Sequence, residues 1–394
     1  MPDLLDFIGK YREAILLGEF GALLHMFGKA SSDFLKANSA EGGAKDTHQE
    51  LKTLPSLASK LQNSVLRDRF AFLVDGAPAK LKGDFTDFVT KYKGDAPDSH
   101  LLKIFNTCHR MTSADEKGVV RYKQSIHSMR ITTPFGRVVR TVSASEIDNL
   151  RENMDRELAE ALDNYVRGTA IEEFRERAVN ILEPGLSAAL GETREPANDV
   201  TLWAQSYGVA SLYKSCLATL ALGKDPCPRK NGAWDYDDVR WRLLGIGWNG
   251  LGFVERGRRA ADISRRQEIL VGLRDTLRTL MEVGYPLGDL FYQDLNGAFF
   301  TFPGIQDEPA CDLVKELAPQ VVAKVRETSD DELWPFFTLS KPRRTLTAIS
   351  REIMERDRLA SSPCIAAILS VESAESRRES LVAKGPRLAP PRFR

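Results

Sequence analysis

At 394 residues with 42% apolar side chains, the chain exceeds one ordinary domain and can bury real cores, so two or more domains are expected. Lysine plus arginine number 55, as do aspartate plus glutamate; no global field draws the protein to nucleic acid, and any such binding must use local patches. No apolar run approaches the roughly eighteen residues of a membrane span, and charges interrupt MPDLLDFIGKYREAILLGEF where a secretory signal is unbroken, so a cytoplasmic location is expected. Cys108, Cys216, Cys227, Cys311 and Cys364 are widely spaced without a CxxC pair, which reads as reduced packing residues rather than a zinc ribbon or disulfide framework.

Along the chain, residues 1 to about 130 read as helical, with Leu4, Leu5, Ile8, Tyr11, Ile15, Leu16, Leu23, Leu24 and Phe27 near helical spacing and few strand signals. KANSAEGGAKDTHQE and KGDAPDSH are loops. TTPFGRVVRTVSASEIDNL predicts a short strand, then a long helix from Glu146 to about Val166 with Leu150, Met154, Leu158 and Leu162 on one stripe. Proline and glycine in ILEPGLSAALGETREPANDV predict a break near residues 183–199. The apolar helix TLWAQSYGVASLYKSCLATLALG follows, with small residues Ala204, Gly208, Ala210 and Ser211 suited to close packing.

From Asp238 the character changes. VRWRLLGIGWNGLGF has strand length and composition, a helix follows with Ile263, Ile269, Leu270, Leu273, Leu277 and Leu280, and DLFYQD and AFFTFP then flank an Asn-Gly hairpin turn. A helix over about Glu308–Glu327 leads into LWPFFTLS. This βαββαβ order is that of a ferredoxin-like sheet with helices on one face. The basic, proline-containing tail SRRESLVAKGPRLAPPRFR is expected to be poorly ordered.

Four features could carry chemistry. Palms of polymerases and cyclases hold two metals on carboxylates at the end of the first strand and in the central hairpin. Here the hairpin offers Asp294, with Asp289 before it, but Asn249 stands near the first-strand position; the alternative is that Asp294 shapes the turn. His25, in ALLHMFGK, is a candidate ligand or a packed histidine. In FNTCHRMTSADEKG, Cys108, His109 and Asp115 form either a ligand cluster or, through Ser113 or Asp115, a helix cap. Arg256, Arg258, Arg259, Arg265 and Arg266 surround a helix start, and Lys341, Arg343 and Arg344 follow the last strand; they read as phosphate-binding forks or as a solvated face.

LLHMFGK, SADEKG, DVTLWAQSYGVASLYKS and then the palm-like unit resemble, in their order, the large subunit of type III CRISPR effector complexes, the Cas-ten family, and within it the divergent Csx-eleven branch. The resemblance covers roughly residues 11–345 and implies an α+β fold: a helical N-terminal HD-like domain (1–135), a helical connecting region (136–237), a ferredoxin-like palm (238–345) and a helical end with a basic tail (346–394). It implies guide RNA, target RNA and other type III subunits as partners, and no membrane. Where the family carries a His-Asp pair this chain has His25-Met26, where it carries Asp-His this chain has Ala204-Gln205, and in place of Gly-Gly-Asp-Asp the hairpin reads Tyr292-Gln293-Asp294-Leu295. These departures imply a scaffold and RNA-binding subunit with degenerate nuclease and cyclase sites. Asp294 and His25 would be the catalytic remnants and His25, His109 and Asp115 the metal ligands, with Mg2+ or Mn2+ and ATP as cofactors if either site acts. Two alternatives stand beside it: an active nucleotidyl cyclase or metal-dependent phosphohydrolase, and a helical interaction protein unrelated to CRISPR.

Overall fold

A computed structural model describes residues 3–42, 51–91, 99–115, 125–133, 135, 137–191, 197–198, 200–345, 349–360, 368–371 and 381–382. They fall into two compact units, Glu13–Tyr213 and Met1–Arg12 with Lys214–Arg394. The helical portion, divided near residue 135 in the sequence reading, belongs largely to the first unit. Among the described residues no helix is long and apolar enough to cross a membrane.

The Glu13–Tyr213 unit is mostly helical. In α1 (Leu4–Leu24), Ile15, Leu16, Leu17, Phe20, Leu23 and Leu24 are all buried, a set too wide for one stripe, so this part of the helix is enclosed on every side. The unit also contains α2 (His100–Asp115), α3 (Ala144–Val166), α4 (Ile171–Ser187) and the start of α5 (Leu202–Ala221). Phe70, Phe85, Phe88, Phe105 and Tyr213 pack edge-on or tilted with centroids 5.2–6.0 Å apart. The buried Asp155 of α3 accepts the Ser56 and Leu57 N–H groups at the start of the Pro55–Leu61 helix, which explains a carboxylate on an apolar face. Glu19 and Arg175 form a buried bidentate pair joining α1 to α4.

Two sequence expectations change here. Helix α4 continues through Pro184, within the segment read as a break. At Gly185 a Cβ would strike Met154, so glycine keeps α4 against α3 instead of ending it. An unanticipated hairpin pairs Ala71–Val74 with Ala77–Lys80 around Asp75 and Gly76, both at positive φ. The Asp-Gly in FAFLVDGAPAK was its signal.

The second unit contains β1 (Trp241–Gly247), α6 (Gly250–Glu255), α7 (Ala260–Arg278, continued as a π-helical turn over Thr279–Gly284), β2 (Leu290–Asp294), β3 (Gly297–Pro303), α8 (Asp307–Thr328), β4 (Phe336–Leu339), α9 (Ile349–Ala360), β5 (Ile368–Val371) and β6 (Leu381–Val382). The sheet order is β6-β5-β4-β1-β3-β2. Within it the βαββαβ strands lie 4-1-3-2 with every neighbour antiparallel, the ferredoxin-like arrangement read from the sequence. Strands β5 and β6 extend the sheet beyond β4, inside the stretch read as helical end and tail; residues 383–394 lie outside the described residues.

The hairpin turn differs from the expected Asn-Gly type. Gly297 pairs with Asp294, leaving Leu295 and Asn296 as the turn residues. Gly297, at φ +154, sits where a Cβ would strike the Ile246 carbonyl across the sheet, so the glycine serves close approach to β1. Residues paired across strands share a face. One face therefore carries Gly245, Gly247, Gly297, Phe299, Phe336 and Thr338, and the glycines let α9 lie close upon β1.

Candidate functional site

The palm hairpin presents a single carboxylate, and an arginine holds it. Asp294 is the last residue of β2, and its Oδ1 accepts the Asn296 N–H at 2.8 Å, the local turn bond expected of aspartate. Arg356 of α9 then donates Nη1 to Oδ1 and Nη2 to Oδ2, each at 2.7 Å. The Tyr292 hydroxyl donates to Oδ2 at 3.3 Å. Arg356 also donates Nε and Nη2 to Asp357 Oδ1 and lies 5.5 Å from the Phe299 ring centroid. Only 1% of its side chain is exposed, against 31% for Asp294. Burial alone would lower the Arg356 pKa, but its bonds to Asp294 and Asp357 outweigh that and raise it.

The other palm position holds no acid. Asn249 is the N-cap of α6, its Oδ1 accepting the Gly252 N–H at 2.9 Å. The turn is fastened to the same place: Asn296 Oδ1 accepts the Leu251 N–H at 3.0 Å, and Trp248 Nε1 donates to the Leu295 carbonyl at 2.9 Å. Asp289, the other acid near the hairpin, is fully buried and accepts from Lys214 Nζ. A two-metal site needs several carboxylate oxygens facing one space. These residues do not fit one: one acid is committed to an arginine, one position is an asparagine cap, and the other acid is enclosed with a lysine.

The helical unit brings two expected ligands together. His25, at the end of α1, is fully buried; its Nδ1 lies 2.5 Å from the Ala22 carbonyl, and its Nε2 lies 3.1 Å from His109 Nδ1. A carbonyl only accepts, so the His25 proton belongs on Nδ1; Nε2 then keeps a lone pair in the neutral ring. The Phe105 ring packs edge-on at 5.3 Å, and buried Met26 occupies the position beside the histidine. The side chain of Asp115 lies outside the described residues. Among the described residues no group of three or more His, Cys, Asp or Glu could hold a metal ion. With His25 Nε2 as the acceptor, His109 Nδ1 carries the hydrogen between the rings, so the two facing nitrogens are paired with each other and an ion that ordinarily takes four ligands would have to displace that bond. Nearby motif segments also meet, Lys29 Nζ donating to the buried Gln205 Oε1 at 3.3 Å.

The basic residues divide into two groups. Arg266 forks onto Glu332 at 2.9 and 3.1 Å and stacks over Phe253, while Arg256 approaches Glu332 at 3.4 Å. These contacts, the Arg266 hydrogen bond foremost, lower the Glu332 pKa. Arg258, Arg259 and Arg265 are exposed. At the far side, the Arg343 backbone bonds to Trp241 at the start of β1, with Lys341 half-buried and Arg344 exposed. The strand between the clusters is about 20 Å long, so they sit at opposite ends of the sheet instead of forming one phosphate pocket.

Geometry thus defines a helical unit with a buried histidine pair and a ferredoxin-like palm whose hairpin acid is bound to arginine. Among solved structures the chain is similar to a Csm1–Csm4 cassette in complex with cA4 (TM-score 0.54, 15% identity, covering 88% of this chain and 48% of that one). It is likewise similar to the apo Csm1–Csm4 cassette (TM-score 0.51, 15% identity, 87% and 47%) and to Csm1 of T. onnurineus (TM-score 0.50, 14% identity, 90% and 50%). The chain spans about half the length of these relatives, and at such identities the likeness is one of fold. No family model and no curated protein matches the chain.

Proposed function

We propose that this chain is a Cas-ten-like large subunit of a type III CRISPR RNA-guided effector complex, in the Csx-eleven-like branch, acting as scaffold and RNA-binding component in the cytoplasm. What carries the reading is that one superposition on a Csm1 chain covers 88% of this chain, from helical unit to palm. A Csm4-type subunit, guide RNA and target RNA are the partners. Arg258, Arg259 and Arg265 supply the exposed cationic surface beside the palm, and Arg344 with Lys341 and Arg343 a second one at the other end of the sheet. Saturation of Asp294 by Arg356, Asn249 acting as a cap and Met26 beside His25 all support degenerate catalytic sites.

Co-expression with type III backbone subunits and guide RNA tests this. The chain should co-purify with the RNA-containing particle, and charge reversal at Arg258, Arg259 and Arg265 should weaken RNA retention and flatten its salt dependence by about one log unit per lost phosphate contact. Failure to associate with any type III backbone in the presence of guide RNA defeats the reading. Incubation with ATP and Mn2+ plus target RNA should yield no product; a product abolished by Asp294→Ala would instead establish an active cyclase.

A further inference from the structure

We propose that Arg356 is a cation built into the chain, standing where a palm would bind divalent metal and closing the hairpin to such ions. The inference deepens the reading of the palm as non-catalytic, but does not depend on RNA binding.

Three observations converge. First, Asp294 has no acceptor capacity left. Its two oxygens offer about four lone-pair positions. Arg356 Nη1 and the Asn296 N–H take those of Oδ1; Arg356 Nη2 and the Tyr292 hydroxyl take those of Oδ2. A divalent ion would have to displace a bidentate guanidinium from a carboxylate that brings no second acid from the first strand.

Second, the sheet is shaped for the arginine. A Cβ at Gly247 would come within 2.8 Å of Arg356 Cγ, and one at Gly297 within 3.2 Å of Cδ. Gly247 and Gly297 are cross-strand partners, so the two missing side chains leave one continuous slot. The aliphatic stem of Arg356 lies in that slot, its head near the Phe299 face.

Third, the cation is carried by an element that packs on this same face. Arg356, Glu352 and Leu359 are the buried positions of α9, and the helix lies against β1 and β4. Asp357 adds a second carboxylate to the guanidinium, so the local charge is that of two acids and one base. Replacing Arg356 by a neutral residue leaves two acids sharing one space, which is the condition that draws a divalent ion.

The test is Mn2+ binding to the full chain, followed by electron paramagnetic resonance and calorimetry. Wild type should show no Mn2+ site that depends on Asp294. Arg356→Met should bind Mn2+ at least about tenfold more tightly than wild type, and Arg356→Met combined with Asp294→Asn should lose that gain. If Arg356→Met does not fold, Arg356→Lys serves: it keeps the charge without the fork and should give an intermediate gain. Mn2+ held by the histidine pair would persist in Asp294→Asn and is thereby told apart. An Asp294-dependent Mn2+ site in wild type, or no gain in the folded Arg356 variants, overturns the proposal. RNA association measured on the same preparations tests the scaffold reading separately.

Discussion

The histidine pair of the helical unit and the hairpin of the ferredoxin-like unit both hold residues able to ligate a metal, and their partners engage those residues differently. At the hairpin Asp294 has an internal counter-charge, and every lone pair on it is committed. In the helical unit buried Met26 stands beside His25, and the two imidazoles face each other at 3.1 Å, with Nδ1 of His25 turned to a backbone carbonyl. Two carboxylates close together are costly to leave uncompensated, and the Arg356 guanidinium bonds both Asp294 and Asp357. Two neutral imidazoles can satisfy each other and need no compensating charge.

Variants can break that contrast, and burial sets their order. The largest effect is expected outside both sites, at the Glu19–Arg175 pair, whose side chains are 1% and 10% exposed. Arg175→Met strands a buried carboxylate and should cost about 3–5 kcal/mol in urea unfolding, which calibrates what a truly enclosed pair is worth in this chain. Arg356→Met should cost less, about 2–3 kcal/mol, because the Asp294 side chain remains 31% exposed and water shares the charge. A loss equal to that of Arg175→Met would mean the palm hairpin is as enclosed as the helical core.

Histidine replacement comes next. His25→Ala removes one partner of the imidazole pair and should destabilise by about 1–3 kcal/mol. Its second readout is Zn2+: any wild-type thermal shift on adding Zn2+ should vanish in His25→Ala and survive in Asp294→Asn. The reverse pattern would transfer the cation response to the palm and erase the difference between the regions.

The smallest effect belongs to the surface pair of Arg266 and Glu332. Because the folded-state pKa of Glu332 is lowered, its stabilising contribution is present above the unfolded carboxylate pKa and is lost as pH falls through the folded value. Glu332→Gln should therefore cost under about 1 kcal/mol near neutrality and lose that difference from wild type in acid, as followed by thermal unfolding from neutral to acidic pH. A cost that persists in acid would mean the glutamate acts through packing.

Much of the palm could be read directly. VRWRLLGIG, LFYQD and GAFFTFP are strands because β-branched and aromatic residues at strand length lie between turn residues, and the helices between them fix the βαββαβ order. The turn was misplaced by one residue because Gly297 answers the Ile246 carbonyl on β1, a contact that only strand pairing creates. The break read at residues 183–199 starts only after Ser187, since Gly185 marks contact with Met154 rather than a helix end. Arg356 left a faint signal: Glu352, Arg356 and Leu359 follow helical spacing, so two charges share a stripe with a leucine.

By itself the sequence determined that Asn249 follows the first strand, that Met26 stands beside His25, and that the last part of the chain builds a ferredoxin-like unit; these follow from residue identity and local periodicity. Tertiary structure decided what partners these residues. Arg356 reaches Asp294 across 62 positions, and His109 reaches His25 across 84. Such distant partners are selected by which faces of sheet and helix bury together, so the fate of each site was settled by packing.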